Sequence, residues 1–239
     1  MCGRFLLNAS PEELQALFGY LDAVEFPPRY NIAPTQPIAV VRIENRQRRF
    51  ALVRWGLVPP WVKDPRTFGL LINARSESAA TNGAFKGGLT YRRCLVPASG
   101  FYEWRKDPAN PKGRRKPHVL RPRDGGVIAL AGLWESWLGA DGSEIDTGCI
   151  LTTAANDTIA PVHDRMPVII RPQDWERWLT SSGPVDDLMR PAANDLLVVA
   201  PIGDRVNSAD NDGPRLLDPP AADEPKPAPR QPGLPLFDR

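Results

Sequence analysis

Short runs of β-branched and aromatic residues recur along the chain, and long polar connections separate them. Two of the clearest runs, at 38–43 and 50–58, are joined by the polar turn Glu44-Asn45-Arg46-Gln47, which predicts a hairpin. The runs do not alternate regularly with helical patterns. This arrangement predicts an α+β fold that is mainly antiparallel β with a barrel-like core. Further strands are predicted at 94–96, 101–104, 118–120, 127–134, 145–153, 168–170 and 196–200.

The few expected helices are short and peripheral. Ser10-Pro11-Glu12-Glu13 has the pattern of a helix start, with a serine N-cap, proline at the first helical position and a glutamate that completes a capping box. Gly19 is placed to end this helix. Two more short helices are predicted at 78–86 and 173–179.

The length and composition fit one folded domain with a tail. The chain has 239 residues, of which 42% are hydrophobic and 24% charged, close to the average for soluble proteins. Residues 1–213 are predicted to form the domain. Residues 214–239 hold eight of the 27 prolines and little apolar material, so we predict a flexible tail there.

Bulk charge and cysteine content exclude several protein classes. The formal net charge is only +2, so a nucleic-acid surface requires local clustering of arginines. Cys2, Cys94 and Cys149 lack CxxC spacing and no signal peptide precedes them, which predicts a cytoplasmic protein without a disulfide framework. The apolar stretches are shorter than the roughly 20 residues of a membrane span. No metal site or cofactor is expected, because paired ligand spacings are missing from the sequence.

The second residue offers unusual chemistry. Aminopeptidases generally remove Met1 before a small side chain, which would leave Cys2 with an α-amine and a thiol on adjacent carbons. This 1,2-aminothiol condenses with an aldehyde through a Schiff base to a thiazolidine ring. An abasic deoxyribose in its open form is an aldehyde. The alternative is that Cys2 is an inert, buried small side chain.

Two titratable side chains are candidate acid-base groups. Glu103 lies among aromatic residues, where desolvation would raise its pKa toward that of a general acid, although an outward-facing strand glutamate fits the pattern equally well. His163 precedes a predicted strand and is either a proton shuttle or a structural histidine bonded to a loop carbonyl. The other histidine, His118, follows a basic run and is interpreted as part of a solvated face.

A third polar segment has the chemistry of a sugar-phosphate contact. Asn73 and Arg75 lie on the same side of the chain if the segment is extended, and together they present an amide and a guanidinium. Asn73 would alternatively cap a turn or a helix, which asparagine favours.

These segments together resemble the SRAP family, the SOS response-associated peptidases that shield abasic sites. The resemblance covers the predicted domain from end to end and depends on the order of its motifs: MCGRF, RYNIAPTQ, WGLVPPW, INARSES, RRCLVPASGFYEW, AGLWES, TTAAN and HDRMPVII. It implies a β-rich domain that binds single-stranded DNA containing abasic sites. We accordingly expect a monomeric, nucleoid-associated protein.

The resemblance also implies a role for each matching residue. Cys2 would be the nucleophile that forms the thiazolidine, and Asn73 would orient the reacting sugar. Glu103 would act as the acid-base group, and His163 would assist proton transfer. The implied phosphate contacts are Arg4, Arg75 and Arg165, and the implied apolar contacts to bases are Pro34 and Trp61.

Two other functions stay open at this point, together with one partner. The chain could be a cysteine peptidase with an N-terminal nucleophile, for which autocatalytic removal of Met1 is the visible trace. It could also be a non-covalent reader of damaged or modified single-stranded DNA. Near the end of the predicted tail, Leu234, Leu236 and Phe237 resemble a sliding-clamp-binding peptide, although an inert tail is an equal alternative.

Overall fold

The structure is a computed structural model that describes residues 2–221, except 23, 108, 109 and 111. The described chain is mostly strand, with four short α-helices and several 3-10 turns. The helices are α1 (Pro11–Phe18), α2 (Ser76–Ala79), α3 (Lys86–Tyr91) and α4 (Trp175–Thr180). The strands are β1 (Phe5–Leu7), β2 (Arg29–Ile32), β3 (Pro37–Glu44), β4 (Gln47–Trp55), β5 (Asn73–Arg75), β6 (Arg93–Ala98), β7 (Gly100–Arg105), β8 (Lys116–Pro122), β9 (Ile128–Leu138), β10 (Glu144–Ala154), β11 (Arg165–Pro167), β12 (Ile169–Ile170) and β13 (Leu197–Pro201).

Five strands close into a barrel. Antiparallel pairing runs from β4 to β3, then to β6, β9 and β10. Parallel pairing of β10 with β4 completes the ring. The short strands β5, β11 and β12 extend this sheet to eight strands. The predicted α+β class with a mainly antiparallel, barrel-like core is therefore confirmed.

A second sheet of five strands packs against the barrel in the order β13, β8, β7, β1 and β2. Its alternating side chains join one large apolar cluster with the barrel, as the period-2 geometry of strands requires. Phe5 from this sheet meets Trp55 of β4 edge to face, with ring centroids 5.2 Å apart. Both rings are completely buried, so this contact anchors the beginning of the chain to the barrel.

Two local predictions are confirmed in detail. Glu44 pairs with Gln47 across a two-residue turn, and both turn residues, Asn45 and Arg46, have positive φ (49° and 63°). This is the backbone geometry that tight hairpins favour. Helix α1 has the predicted capping box at Ser10 and ends at Gly19 in the left-handed conformation.

Other expectations differ from the structure. The helix predicted at 78–86 is wrong, because α2 ends at Ala79 and α3 begins only at Lys86. The run predicted to extend to 58 leaves the sheet after Trp55. Beyond the predicted domain boundary at 213, Pro214–Leu217 forms a 3-10 helix whose Leu216 is buried. The predicted clamp-binding residues Leu234, Leu236 and Phe237 lie outside the described residues. In the part of the chain that is described, none of the helices has the length and apolar character needed to cross a bilayer.

Candidate active site

The beginning of the chain lies beside strand β7. Phe5 pairs with Phe101 in the antiparallel register, and the Tyr102 N–H donates a hydrogen bond of 3.0 Å to the carbonyl of Arg4. Continuing this register places Glu103 level with the residues that precede β1. Cys2 and Glu103 thus lie at the same end of the β1–β7 strand pair.

The barrel sheet brings Asn73 and His163 to the same place, at the end of the β1–β7 strand pair. Strand β5 runs parallel to β10, with Asn73 opposite Ile150, and β11 pairs with the end of β10, with Arg165 opposite Ala154. His163 lies two residues before Arg165. The residues that sequence analysis selected as catalytic candidates therefore come from both sheets and meet at the junction between them.

Direct contacts link the cluster. The side-chain amide of Asn73 donates a hydrogen bond of 2.9 Å from Nδ2 to the carbonyl of Cys2. Oε2 of Glu103 lies 4.0 Å from Nε2 of His163. Asn73 Oδ1 is buried and has no hydrogen-bond partner among the described residues. Buried amide oxygens are normally satisfied, so this atom is available to a donor that enters the site.

Burial sets the electrostatics of Cys2 and Glu103. Glu103 is 3% exposed, and burial raises the pKa of its carboxyl to about 6. Cys2 is completely buried, and its thiol makes one long contact of 3.8 Å with the carbonyl of Arg4. Burial, reinforced by the charge of Glu103, raises the pKa of the Cys2 thiol far above its ordinary range. The sulfur is therefore held as a protonated thiol at neutral pH.

His163 is held as a neutral ring. Burial lowers its pKa, and Nδ1 accepts a hydrogen bond of 2.9 Å from the N–H of Arg165. Oδ1 of Asp164 also lies 2.9 Å from Nδ1, and that contact would require a proton on Nδ1. The backbone contact is the better guide, because the Asp164 side chain is 88% exposed and water competes for it. The neutral ring then carries its proton on Nε2, the nitrogen that faces Glu103.

The three arginines implied as phosphate contacts occupy different environments. Arg4 donates to Asn31 Oδ1 at 2.8 Å and to the carbonyl of Val206 at 2.9 Å, so its guanidinium fastens two distant segments together. Arg165 forms a two-pronged ion pair with Glu77, with N–O distances of 2.6 and 2.9 Å. Arg75 is exposed. Of the three, Arg75 is the cation whose side chain is open to solvent.

The two implied apolar contacts lie on loops. Pro34 is half-buried in the turn before β3. Trp61 is 62% exposed and meets Phe68 edge to face, with ring centroids 5.5 Å apart. Much of the Trp61 indole is therefore open to solvent.

The interpretation of His118 as part of a solvated face is wrong, and Glu77 was not among the predicted residues. His118 is only 8% exposed and lies directly opposite Glu103 on β8, so it is not part of a solvated face. The alternation of the predicted strand at 118–120 was the available signal. Glu77 gave no signal of its own, because its partner Arg165 is far away in the sequence. Within the described ranges, no group of three or more His, Cys, Asp or Glu side chains could hold a metal ion.

Comparison with known proteins gives a consistent result. The family model "SOS response associated peptidase (SRAP)" matches residues 1–209. The abasic site processing protein YoqW of Bacillus subtilis is 33% identical over 226 residues, which cover 91% of this chain and 99% of YoqW. The abasic site processing protein YoaM of the same organism is 34% identical over 225 residues, covering 91% of this chain and 98% of YoaM. A solved structure of a protein from Bacteroides thetaiotaomicron has the same fold, with a TM-score of 0.80, 22% identity and coverage of 91% of this chain and 99% of that chain.

Proposed function

Because the chain belongs to the SOS response associated peptidase (SRAP) family, we propose that it captures abasic sites in single-stranded DNA as a covalent adduct of Cys2. The observation that carries the proposal is the convergence of Asn73, Glu103 and His163 on the residues around Cys2. The names of the relatives support the same substrate, since both are abasic site processing proteins. The adduct would shield the lesion during the response to DNA damage.

The reaction requires that Met1 be removed, which converts the amide nitrogen of Cys2 to an α-amine. An α-amine has a pKa near 8, so a useful fraction is unprotonated at neutral pH, whereas burial keeps the thiol protonated. The amine is therefore the first nucleophile. Asn73 holds the carbonyl of the same residue, and its unsatisfied Oδ1 offers an acceptor that would orient the amine.

The covalent steps balance with the loss of one water. The amine nitrogen attacks C1′ of the ring-opened sugar aldehyde, and the carbinolamine formed loses water to give an imine. The Cys2 sulfur then bonds to the same carbon, and the thiol proton passes to the nitrogen. The product is a thiazolidine in which C1′ is bonded to both nitrogen and sulfur of one residue.

Glu103 has the properties of the proton-transfer group in these steps. With a pKa of about 6, the carboxyl populates both protonation states near neutral pH. As an acid it can give a proton to the departing hydroxyl of the carbinolamine, and as a base it can take one from the thiol. The neutral His163, 4.0 Å from Glu103, is placed to exchange that proton with solvent and to assist reversal of the adduct.

The exposure of the surrounding side chains indicates which of them would contact the DNA away from the reacting atoms. Arg75 is open to a phosphate, and Arg165 becomes open if a phosphate displaces Glu77. Trp61 offers an exposed ring for a neighbouring base, which aromatic side chains stack against with little sequence preference. Arg4 contributes by holding the segment that follows Cys2.

The alternative of a general cysteine peptidase is less well supported. Peptide hydrolysis by cysteine needs a thiolate, and burial of the Cys2 thiol disfavours that form. An aldehyde substrate avoids this requirement, because the amine reacts first and the sulfur attacks an activated imine. If the protein is a general peptidase, it should cleave test peptides. If it only forms DNA adducts, it should leave those peptides intact.

The proposal is tested with protein whose loss of Met1 has been verified by mass, mixed with an oligonucleotide that contains one abasic site. The parent should give an adduct that survives denaturation without a reducing agent. Cys2→Ser keeps the amine but not the sulfur, so its adduct should survive only after borohydride traps the imine. A parent that forms no adduct, or a Cys2→Ala variant whose untrapped adduct is as durable as that of the parent, would reject the proposal.

A further inference from the structure

A strongly basic segment joins the end of β7 to the start of β8. Its cationic side chains are Arg105, Lys106, Lys112, Arg114, Arg115 and Lys116. Asp107 is the one acidic residue in the same stretch of sequence, so twelve residues carry an excess of five positive charges. The whole chain has a formal net charge of only +2. The segment, which we call the basic segment, is therefore a local cluster of the kind that a nucleic-acid surface requires in this chain.

Arg105 lies on the same face of β7 as Glu103. Strands β7 and β8 pair without a register shift, with Glu103 opposite His118 and Arg105 opposite Lys116. Side chains two residues apart on a strand point to the same face, and two residues span about 7 Å. On this face Glu103 meets His163, with 4.0 Å between Oε2 and Nε2. Arg105 is exposed where Glu103 is buried, so its long side chain lies at the solvent side of the candidate active site.

Arg115 approaches the same site from the other end of the basic segment. It is exposed. Burial lowers the pKa of His163, and the positive charge of Arg115 adds to that effect. A like charge acts on a titratable ring in this way when the two lie close together. Strand register places Arg105 beside the candidate active site, and electrostatic proximity to His163 independently places Arg115 there.

Arg114 provides the contrast within the basic segment. Its guanidinium forms an ion pair of 3.1 Å with the carboxylate of Asp204. Among the residues that the structure describes, Arg105 and Arg115 form no ion pair. Asp164, the exposed acid beside the candidate active site, contacts the ring of His163 instead. Arg105 and Arg115 therefore carry charge that is not yet paired, whereas the charge of Arg114 is.

The chemistry of the proposed substrate matches these two cations. An abasic nucleotide has lost its base but keeps a phosphodiester on each side of its sugar. A strand whose abasic sugar reaches Cys2 and Glu103 therefore brings phosphates to the rim of the site. Guanidinium groups bind phosphate oxygens through charge-assisted hydrogen bonds, and such backbone contacts set the register of a bound strand.

From these observations we infer that Arg105 and Arg115 bind backbone phosphates on one side of the abasic nucleotide, and that they orient the strand as its sugar enters the site. This inference rests on the proposed function and adds two phosphate contacts to it. Both residues belong to the same basic segment, so the phosphates that they bind should lie on the same side of the lesion. Arg114, which is already paired, makes no such contact.

The experiment uses single strands that contain a tetrahydrofuran abasic analogue, which has no aldehyde, so binding is measured apart from adduct formation. Each strand of a series carries one uncharged methylphosphonate at a different position. Arg105→Gln and Arg115→Gln should each weaken binding about two- to fivefold, as expected for one exposed ion pair. Each should also lower the slope of log affinity against log salt by about 0.7, the value for one phosphate contact on a single strand. Arg114→Gln removes the same charge from the same segment and should behave like the parent.

The methylphosphonate series identifies the phosphates. In the parent, positions on one side of the lesion should weaken binding, and each glutamine variant should lose the effect at one of them. The inference is overturned if either variant keeps every methylphosphonate effect of the parent, or if the two lost effects lie on opposite sides of the lesion. It is also overturned if Arg114→Gln weakens binding as much as the other two variants, because the segment would then act only through its total charge. Adduct formation by the parent on aldehyde-containing DNA judges the proposed function separately, since the analogue strands report binding alone.

Discussion

The side-chain amide of Asn73 donates a hydrogen bond of 2.9 Å to the carbonyl of Cys2, and this contact joins the two sheets at the candidate active site. The other polar atom of the same side chain, Oδ1, is buried without a partner among the described residues. One residue thus fixes the backbone of Cys2, the proposed nucleophile, and leaves an acceptor beside it.

Replacing Asn73 by Ala should slow adduct formation strongly. Loss of the anchor lets the Cys2 backbone move, and a misplacement of about 1 Å costs on the order of 100-fold in rate. The measurement is the single-turnover rate of adduct formation on an abasic oligonucleotide. Asn82→Ala, in an exposed turn, is the control and should react at the parent rate. An Asn73→Ala protein that is folded and reacts as fast as the parent would remove Asn73 from the mechanism.

Glu103→Gln should lower the rate of adduct formation. Glutamine cannot transfer the proton, so the rate of adduct formation should fall roughly 100- to 10,000-fold, the usual contribution of a general acid-base group. The plot of rate against pH should also lose the inflection that we expect for the parent near pH 6. If Glu103→Gln keeps both the rate and the inflection, another group moves the proton.

The same variant should be more stable than the parent at alkaline pH. Burial raises the pKa of Glu103 from 4.5 to about 6, so the folded state binds the proton more tightly than the unfolded chain. Below pH 4.5 the carboxyl is protonated in both the folded and the unfolded state, so its burial does not lower the free energy of unfolding. As the pH rises through 6, the free energy of unfolding falls by up to about 2 kcal/mol. Urea unfolding at pH 8 should show Glu103→Gln more stable by up to that amount, and the gain should shrink toward pH 4.5. A variant less stable than the parent at pH 8 would contradict the desolvation argument.

Local features of this fold were predictable because their causes are local. The capping box of α1 and the tight turn at Asn45 and Arg46 depend on neighbouring residues. Strands β1 and β5 have three residues each, too few to show a period. Closure of the barrel depends on the parallel pairing of β10 with β4, which joins residues almost 100 positions apart and leaves no mark in either segment.

The candidate site likewise has features that the sequence predicts and features that only the fold determines. Residue types and motif order were enough to select Cys2, Asn73, Glu103 and His163, but not their distances, which result from the meeting of two sheets. Arg4 shows the limit most clearly. The resemblance implied a phosphate contact for Arg4, yet its guanidinium donates a hydrogen bond to the carbonyl of Val206, about 200 residues away. Only the folded chain reveals which guanidiniums already have hydrogen-bond partners.

Glu77→Gln should tighten non-covalent binding of single-stranded DNA. Both terminal nitrogens of Arg165 are bonded to the Glu77 carboxylate, whose pKa Arg165 holds below its usual value, so a phosphate must displace an ionised competitor. An ion pair of this exposure is worth about 1 kcal/mol or less, which predicts an affinity gain of up to roughly fivefold. Glu144→Gln, on an exposed strand end, controls for the lost negative charge.

The double variant distinguishes competition from positioning. If Glu77 competes with DNA, Arg165→Gln should weaken binding more in the Glu77→Gln background than in the parent. If Glu77 instead orients Arg165 toward the phosphate, Glu77→Gln alone should weaken binding, and the effect of Arg165→Gln should shrink. The affinities are measured by titrating each variant with a single strand that contains a tetrahydrofuran abasic analogue, which has no aldehyde and so forms no adduct. Titrations at two salt concentrations give the salt dependence of each affinity.

Arg93→Met should destabilise the fold without altering the chemistry. Arg93 is 7% exposed and donates to the carbonyls of Leu89, Trp178 and Ser181, which end α3 and α4. Methionine fills the volume but leaves three carbonyls without donors, and each buried orphan costs about 1 kcal/mol or more. The expected loss is about 3 kcal/mol, seen as a fall of about 10 °C in Tm. Arg177→Met removes an exposed ion pair with Asp187 and should cost less than about 1 kcal/mol. At temperatures well below its thermal unfolding transition, Arg93→Met should still form the adduct at the parent rate, because Arg93 contacts neither Cys2 nor Asn73. Equal losses in the two methionine variants would show that the buried guanidinium does not hold the two helix ends.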